Sequence, residues 1–201
     1  MKPAVFLVDD DASVLKGLRR LLASAGLRVV AFESPQEFLE GLDRDAGGCV
    51  VLDHSMPGLT GLELQQALAA RGSALPVIFL TGKGDIPTSV RAMKGGAADF
   101  LTKPVDGEVL LAAVRGALER DRSQRAEREE RAGIERRLAT LTAREREVLR
   151  HVVAGLLNKQ IAARLGTVEK TVKVHRARVM EKMQARSLAE LVRLAGKAGL
   201  D

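Results

Sequence analysis

The chain has 201 residues, a formal net charge of +6 and 46% hydrophobic residues, enough for one large or two small domains with real cores. It has a single cysteine, so an internal disulfide is excluded, and no tryptophan or tyrosine, which argues against base stacking on single-stranded nucleic acid. No apolar run is long enough to span a bilayer, and Met1 to Phe6 run straight into a strand pattern without a cleavable signal segment, so a cytoplasmic protein with no membrane partner is expected. The charge is uneven. Through residue 116 there are 12 Lys and Arg against 14 Asp and Glu; from 138 to 201 there are 13 against 6. An acidic half joined to a basic half predicts that only the second half meets a polyanion.

Ala4 to Val8 reads as a buried strand, followed at once by Asp9-Asp10-Asp11. Leu15, Leu18, Leu21 and Leu22 fall at helical spacing, and Gly26 stops that helix. Arg28 to Phe32 is a second strand, and Pro35 to Gly41 a helix opened by Ser34. Cys49-Val50-Val51-Leu52-Asp53 is a short apolar, β-branched run ending in a carboxylate, the pattern of a strand buried on both faces. Cys49 within it is expected to be a small core residue. Gly61 to Arg71 is helical, Pro76 to Leu80 a fourth strand ending in Thr81-Gly82, and Ile86 to Gly95 a helix. Asp99 to Leu101 is a brief fifth strand before Thr102-Lys103-Pro104, and a last helix begins near Asp106. Five strands alternating with helices predict a doubly wound α/β unit with a parallel sheet covered on both faces.

From Glu119 to Arg137, Arg and Glu alternate with almost no apolar residue, so a solvated helical linker with a break at Gly133 is expected. Four short helices follow. Thr142-Ala143-Arg144-Glu145 and Ser187-Leu188-Ala189-Glu190 read as capping boxes opening the first and fourth. Lys159 to Leu165 and Val168 to Met183, joined by Gly166-Thr167, have helix-turn-helix spacing. On the longer one, Val172, His175, Val179 and Met183 share one face, and Lys170, Lys173, Val174, Ala177 and Arg178 the other. A helix with one apolar face and one basic face suits the major groove of double-stranded DNA, its cations meeting phosphates or guanine edges and Val174 and Ala177 meeting thymine methyls.

The strand ends carry the chemistry. Asp9 and Asp10 follow strand one, Asp53 ends strand three, and Thr81 and Lys103 follow strands four and five. If strands one and three are neighbours, three carboxylates share a crevice at the carboxyl edge, where open α/β sheets bind ligands. Like charges that close repel, and a hard divalent cation such as Mg²⁺ relieves them. A Lys ammonium and a Thr hydroxyl can hold phosphoryl oxygens, leaving Asp53 as the nucleophile of an aspartyl phosphate. His54 beside it is expected as a surface or groove side chain. A phosphatase of the Asp-x-Asp type is disfavoured, because its second acid would be Ser55, which has no proton to give at neutral pH.

Val8-Asp9-Asp10-Asp11, Leu52-Asp53 with Met56-Pro57-Gly58-Leu59-Thr60-Gly61, Leu80-Thr81-Gly82 and Asp99-Phe100-Leu101-Thr102-Lys103-Pro104 resemble a response-regulator receiver domain over residues 1–118. Leu141 to Leu149, Gly155, Asn158 to Ala162 and Lys170 to Arg176 resemble the LuxR-type DNA-binding domain over 138–201, with 119–137 as the linker. Together they resemble the NarL/FixJ group, nearest its FixJ-type members. The resemblance implies strand order 2-1-3-4-5 and an all-α four-helix DNA-binding domain. It implies phosphorylation of Asp53 by a sensor histidine kinase. It further implies Mg²⁺ on Asp10, Asp53 and the Ser55 carbonyl, with Asp9 acting through water. Thr81 and Phe100 would be the switch pair, Lys103 the phosphate clamp, and Lys103-Pro104 a cis peptide. Lys159, Lys170, Thr171, Lys173, Val174, Arg176, Ala177 and Arg178 would contact DNA as a homodimer formed on phosphorylation, with RNA polymerase as a further partner. Leu157 and Val168 depart from the pattern, standing where many members carry a hydroxyl that caps the second and third helices.

Overall fold

The structure, a computed structural model, describes residues 3–43, 45–82 and 86–200. Met1 and Lys2, where a signal segment was sought, lie outside them. Among the described residues no helix is long and apolar enough to cross a membrane. The chain divides into two compact units, Met1–Arg125 and Ala126–Asp201.

The first unit is a five-stranded parallel sheet in the order β2-β1-β3-β4-β5. Its strands are β1 (Ala4–Val8), β2 (Val29–Phe32), β3 (Gly48–Asp53), β4 (Val77–Thr81) and β5 (Asp99–Thr102). Between them run α1 (Ala12–Ser24), α2 (Pro35–Gly41), α3 (Gly61–Ala70) and α4 (Ile86–Lys94), and α5 (Gly107–Ala139) follows. The two-residue period of a strand sorts the side chains. Val5, Leu7, Cys49, Val51, Ile78 and Leu80 pack with Leu15 and Leu22 of α1 and with Leu110, Val114 and Ala117 of α5. Phe6, Val8, Val50, Leu52 and Phe79 pack with Phe38 of α2, Leu64 and Leu68 of α3, and Ala92 of α4. This is why the central strands read as unbroken apolar runs. Burial, and secondarily the charge of Asp121, pushes the Cys49 thiol up to about 12, so Cys49 is core and not a nucleophile.

The charged segment expected as a solvated helical linker is helical and belongs to α5, but it is not solvated throughout. Asp121 is buried, and its Oδ2 accepts from Gly48 N at 2.9 Å. Arg125 Nη1 donates to the Ala46 carbonyl at 3.1 Å. Gly48 has no substitute here: its φ is +138°, and an added Cβ would sit 1.8 Å from the Ala4 carbonyl oxygen. Gly133 does not break the helix, which runs 33 residues without interruption. The local cost of a mid-helix glycine is ~1 kcal/mol, and the neighbouring Ile134, wholly buried, outweighs it.

The second unit packs α6 (Ala143–Val153), α7 (Asn158–Arg164), α8 (Glu169–Met183) and α9 (Leu188–Lys197) around Ile134, Val148, Leu149, Ile161, Val172, Val179, Met183 and Leu191. The Thr142 capping box forms as predicted. At α9 only half of one forms: Ser187 accepts from Glu190 N, but the Glu190 carboxylate reaches Arg186 N instead of Ser187 N. Glu145 does more than close a cap. It is buried beside Lys182 Nζ at 2.6 Å, and that ammonium, followed by the Thr142 N–H, holds its carboxyl down to about 2. This ties the start of α6 to the last turn of α8.

Removing the buried Asp121 carboxylate leaves the Gly48 N–H without its acceptor. Asp121→Ala is expected to destabilise the first unit by about 1–3 kcal/mol, read as a lowered denaturation midpoint; an unchanged midpoint would contradict this contact.

Candidate functional site

The carboxyl ends of β1, β3, β4 and β5 bring the predicted residues together. Register pairs Val8 with Leu52, so Asp9 and Asp53 emerge side by side from adjacent strands. Both are buried, at 2% and 6% exposure. Lys103 reaches between them, its Nζ 2.7 Å from Asp9 Oδ2 and 2.8 Å from Asp53 Oδ1. Partial burial works against the Lys103 ammonium, but the hydrogen bonds to Asp53 and Asp9 outweigh it and raise its pKa above the ordinary value. The remaining carboxylate oxygens are also engaged: Asp53 Oδ2 accepts from Ser55 N at 2.9 Å, and Asp9 Oδ1 from Asp11 N at 3.0 Å. The backbone secures the rim. Lys103 N donates to the Thr81 carbonyl at 2.7 Å, and the Lys103-Pro104 peptide is cis, as the resemblance implied. Thr81 is fully buried at the end of β4, next to Leu80, the register partner of Asp53.

The start of α3 lies close against the end of β3. A Cβ on Gly61 would lie 2.8 Å from the Asp53 carbonyl oxygen and 2.9 Å from the Phe79 ring, so only glycine lets the helix start there. Asp10 and Ser55 are exposed on the rim. Among the described residues, no three His, Cys, Asp or Glu side chains converge into a ready metal centre. Phe100 is half-buried, its ring centroid 6.0 Å from that of Phe79. His54 is not simply a surface side chain. It is half-buried, its ring edge-on to Phe79 at 6.3 Å, and its Nδ1 is buried without a hydrogen-bond partner among the described residues. Asp11, to which no role was assigned, is the N-cap of α1, accepting from Ser13 N and Val14 N; these bonds lower its pKa. That was legible as an aspartate standing just before an apolar helical period.

In the second unit the predicted division of α8 holds for most residues. Val172, Val179 and Met183 are buried, while Lys170, Lys173, Val174, Ala177 and Arg178 are exposed. Thr171 and Arg176 are half-buried, and Arg176 Nη1 donates to Asn158 Oδ1 at 3.1 Å. Lys173 pairs with Glu169 at 3.5 Å on the open surface, a contact weak enough to be exchanged for another anion. Lys159 is exposed at the start of α7. Leu157 and Val168 supply no side-chain cap, as their chemistry requires; Gln160 Oε1 alone accepts from Leu157 N at 2.8 Å.

The family model for the response regulator receiver domain matches residues 5–115, and that for the luxR family of bacterial regulatory proteins matches 139–195. The chain is a response regulator of the LuxR type. It is 49% identical to Nodulation protein W of Bradyrhizobium diazoefficiens over 99% of this chain and 88% of that one. It is equally 49% identical to the transcriptional regulatory protein FixJ of Azorhizobium caulinodans, over 98% and 93%. Among solved structures, the response regulator StyR matches with a TM-score of 0.91 at 48% identity, covering 98% of this chain and all of that one. Full-length FixJ from B. japonicum matches at 0.60 and 43% identity, covering 100% of this chain and 99% of that one. The five-stranded parallel sheet was predicted from the strand and helix patterns, and its order 2-1-3-4-5 and the helical LuxR-type domain are what the resemblance implied.

Without its ammonium, the receiver keeps two buried carboxylates that repel each other. Lys103→Met is expected to destabilise the first unit at neutral pH by about 2 kcal/mol, a discounted value because the ammonium is 24% exposed. The sign follows from the raised pKa: the contribution of Lys103 is complete below its ordinary value and is lost as pH climbs through the raised one. In the variant the deficit is therefore constant from neutral pH up to the ordinary lysine value and shrinks as pH climbs through the raised one. Denaturation midpoints measured from neutral to alkaline pH read this, and a deficit that stays unchanged through the alkaline range would contradict it.

Proposed function

We propose that this response regulator is a phosphorylation-switched transcription regulator. A sensor histidine kinase donates a phosphoryl group to Asp53, and the modified chain pairs with a second copy and binds specific double-stranded promoter DNA. The observation that carries this reading is the Lys103 ammonium held between Asp9 and Asp53 at the carboxyl edge of the sheet. We take residues 1–118 as the receiver, 119–137 as the linker and 138–201 as the DNA-binding domain.

The donor set fits Mg²⁺, which receiver domains generally bind. Asp9, Asp10 and Asp53 carry three negative charges against the one of Lys103, and every donor is a hard oxygen. Asp10, Asp53 and the Ser55 carbonyl would hold the ion and Asp9 would reach it through water; two carboxylates with the remaining positions left to water is a usual Mg²⁺ arrangement. When bound, it supplies charge neutralisation for the phosphoryl oxygens. The chain does the rest. The Ser55 N–H and Lys103 orient the Asp53 carboxylate. One of its oxygens attacks phosphorus, an acyl phosphate forms, and the donor's phosphorus–nitrogen bond breaks. Lys103 then pairs with the new phosphate and the Thr81 hydroxyl donates to it, while Phe100 follows Thr81 as the switch partner.

In the second domain, Lys159, Lys170, Thr171, Lys173, Val174, Ala177 and Arg178 would meet DNA, the cations on phosphates and the small apolar groups on thymine methyls. Paired domains would meet paired half-sites, with RNA polymerase as the downstream partner. We read the chain as a cytoplasmic regulator and not an enzyme, in line with relatives that are named as transcriptional regulators.

The full chain is expected to gain DNA affinity and to double its mass when incubated with Mg²⁺ and a small phosphoryl donor, and Asp53→Asn to do neither. Values unchanged by the donor would favour a constitutive DNA binder. Lys173→Ala is expected to weaken DNA binding and to reduce the salt slope by about 0.9; wild-type affinity in that variant would remove α8 from the groove.

A further inference from the structure

α7 should not stand on its own. It has seven residues, below the length at which an isolated helix persists in water. Its N-cap, Leu157, offers no acceptor and is 69% exposed. Two guanidinium groups from neighbouring helices hold its ends. Arg144 of α6 donates from Nη2 to the Leu165 carbonyl, the C-cap of α7, at 2.6 Å. Arg176 of α8 donates from Nη1 to Asn158 Oδ1, on the first residue of α7, at 3.1 Å. Both members of this second pair are half-buried, unlike Lys170, Lys173 and Arg178 on the exposed face of α8.

We propose that Arg176 is a positioning residue and not a DNA contact: its hydrogen bond to Asn158 fixes the uncapped start of α7, and with it Lys159, the next residue, as the cation that meets a phosphate. This rests on the reading of α7 and α8 as the DNA-binding pair. A planar guanidinium suits such a strut because its donors keep a rigid fork, whereas the flexible ammonium of Lys159 needs its backbone placed for it. It also gives the Asn158 side chain, which otherwise reads as a helix-start polar residue, a defined task.

The test uses the full chain, incubated with Mg²⁺ and a small phosphoryl donor, and a fluorescein-labelled random-sequence duplex, whose binding is dominated by phosphate contacts, titrated by anisotropy over a range of salt concentrations. Arg176→Ala, Asn158→Ala and Lys159→Ala are each expected to weaken binding by roughly fivefold, the factor of one hydrogen bond. Each lowers the salt slope by about 0.9, and paired variants are no weaker than the singles. The informative case is Asn158→Ala, which removes no charge and yet lowers a charge-dependent slope; a merely structural role would not do this. Wild-type affinity and slope in Asn158→Ala, or additive losses for Arg176→Ala with Lys159→Ala, would overturn the proposal. Circular dichroism establishes that each variant is folded, and if Arg176→Ala is not, Asn158→Ala with Lys159→Ala carries the same cycle. Wild-type chain and Lys173→Ala serve as controls: no salt-dependent binding by the former, or none lost in the latter, counts against the DNA-binding reading itself.

Discussion

One ammonium shared by two buried carboxylates organises the receiver. Asp9, Asp53 and Lys103 come from three different strands, β1, β3 and β5, and only the crossed order of the sheet lets them meet. The lysine is the one long flexible side chain of the set, and it has to span from β5 past β4 to the central pair. Its backbone is secured for that reach by the Thr81 carbonyl. Because one positive charge faces three aspartates, the crevice keeps a surplus of negative charge, which makes it receptive to a divalent cation and, through the cation, to phosphate.

The second unit solves a different problem, that of presenting cations without burying them. α8 is held from within by Val172, Val179 and Met183 and at its last turn by Lys182 on Glu145. Arg137, at the end of α5, adds a hydrogen bond to the Met183 carbonyl at 2.9 Å. With its inner face and its end thus fixed, its outer lysines and arginines remain exposed and free to exchange partners. A phosphate backbone rewards that combination of rigid helix and mobile charge.

Much of this was legible in the sequence. The strands of the receiver show as short apolar runs and the helices as 3.6-residue periods, and the candidate site residues stand at the ends of strands that the sheet order places side by side. What escaped was decided by contacts distant in sequence. Gly133 looks like a break because its local propensity is poor, but Ile134 beside it is buried in the second core. Asp121 sits in an alternation of Arg and Glu that gives no hint of burial, and its partner, Gly48, lies 73 residues away. Glu190 has two backbone N–H groups within reach, and the pattern alone does not say that Arg186 takes it. Arg176 belongs to a basic helix, and nothing in that pattern tells of its hydrogen bond to Asn158, on the preceding helix.

The measurement that bears most directly on the central claim is the position of a transferred phosphoryl group. The full chain is incubated with Mg²⁺ and a small phosphoryl donor, trapped by reduction and mapped by peptide mass spectrometry. A modification on the peptide carrying Asp53, abolished in Asp53→Asn, is the predicted result. A phosphoryl group elsewhere on the chain, or none on Asp53 while Mg²⁺ and donor are present, would contradict it.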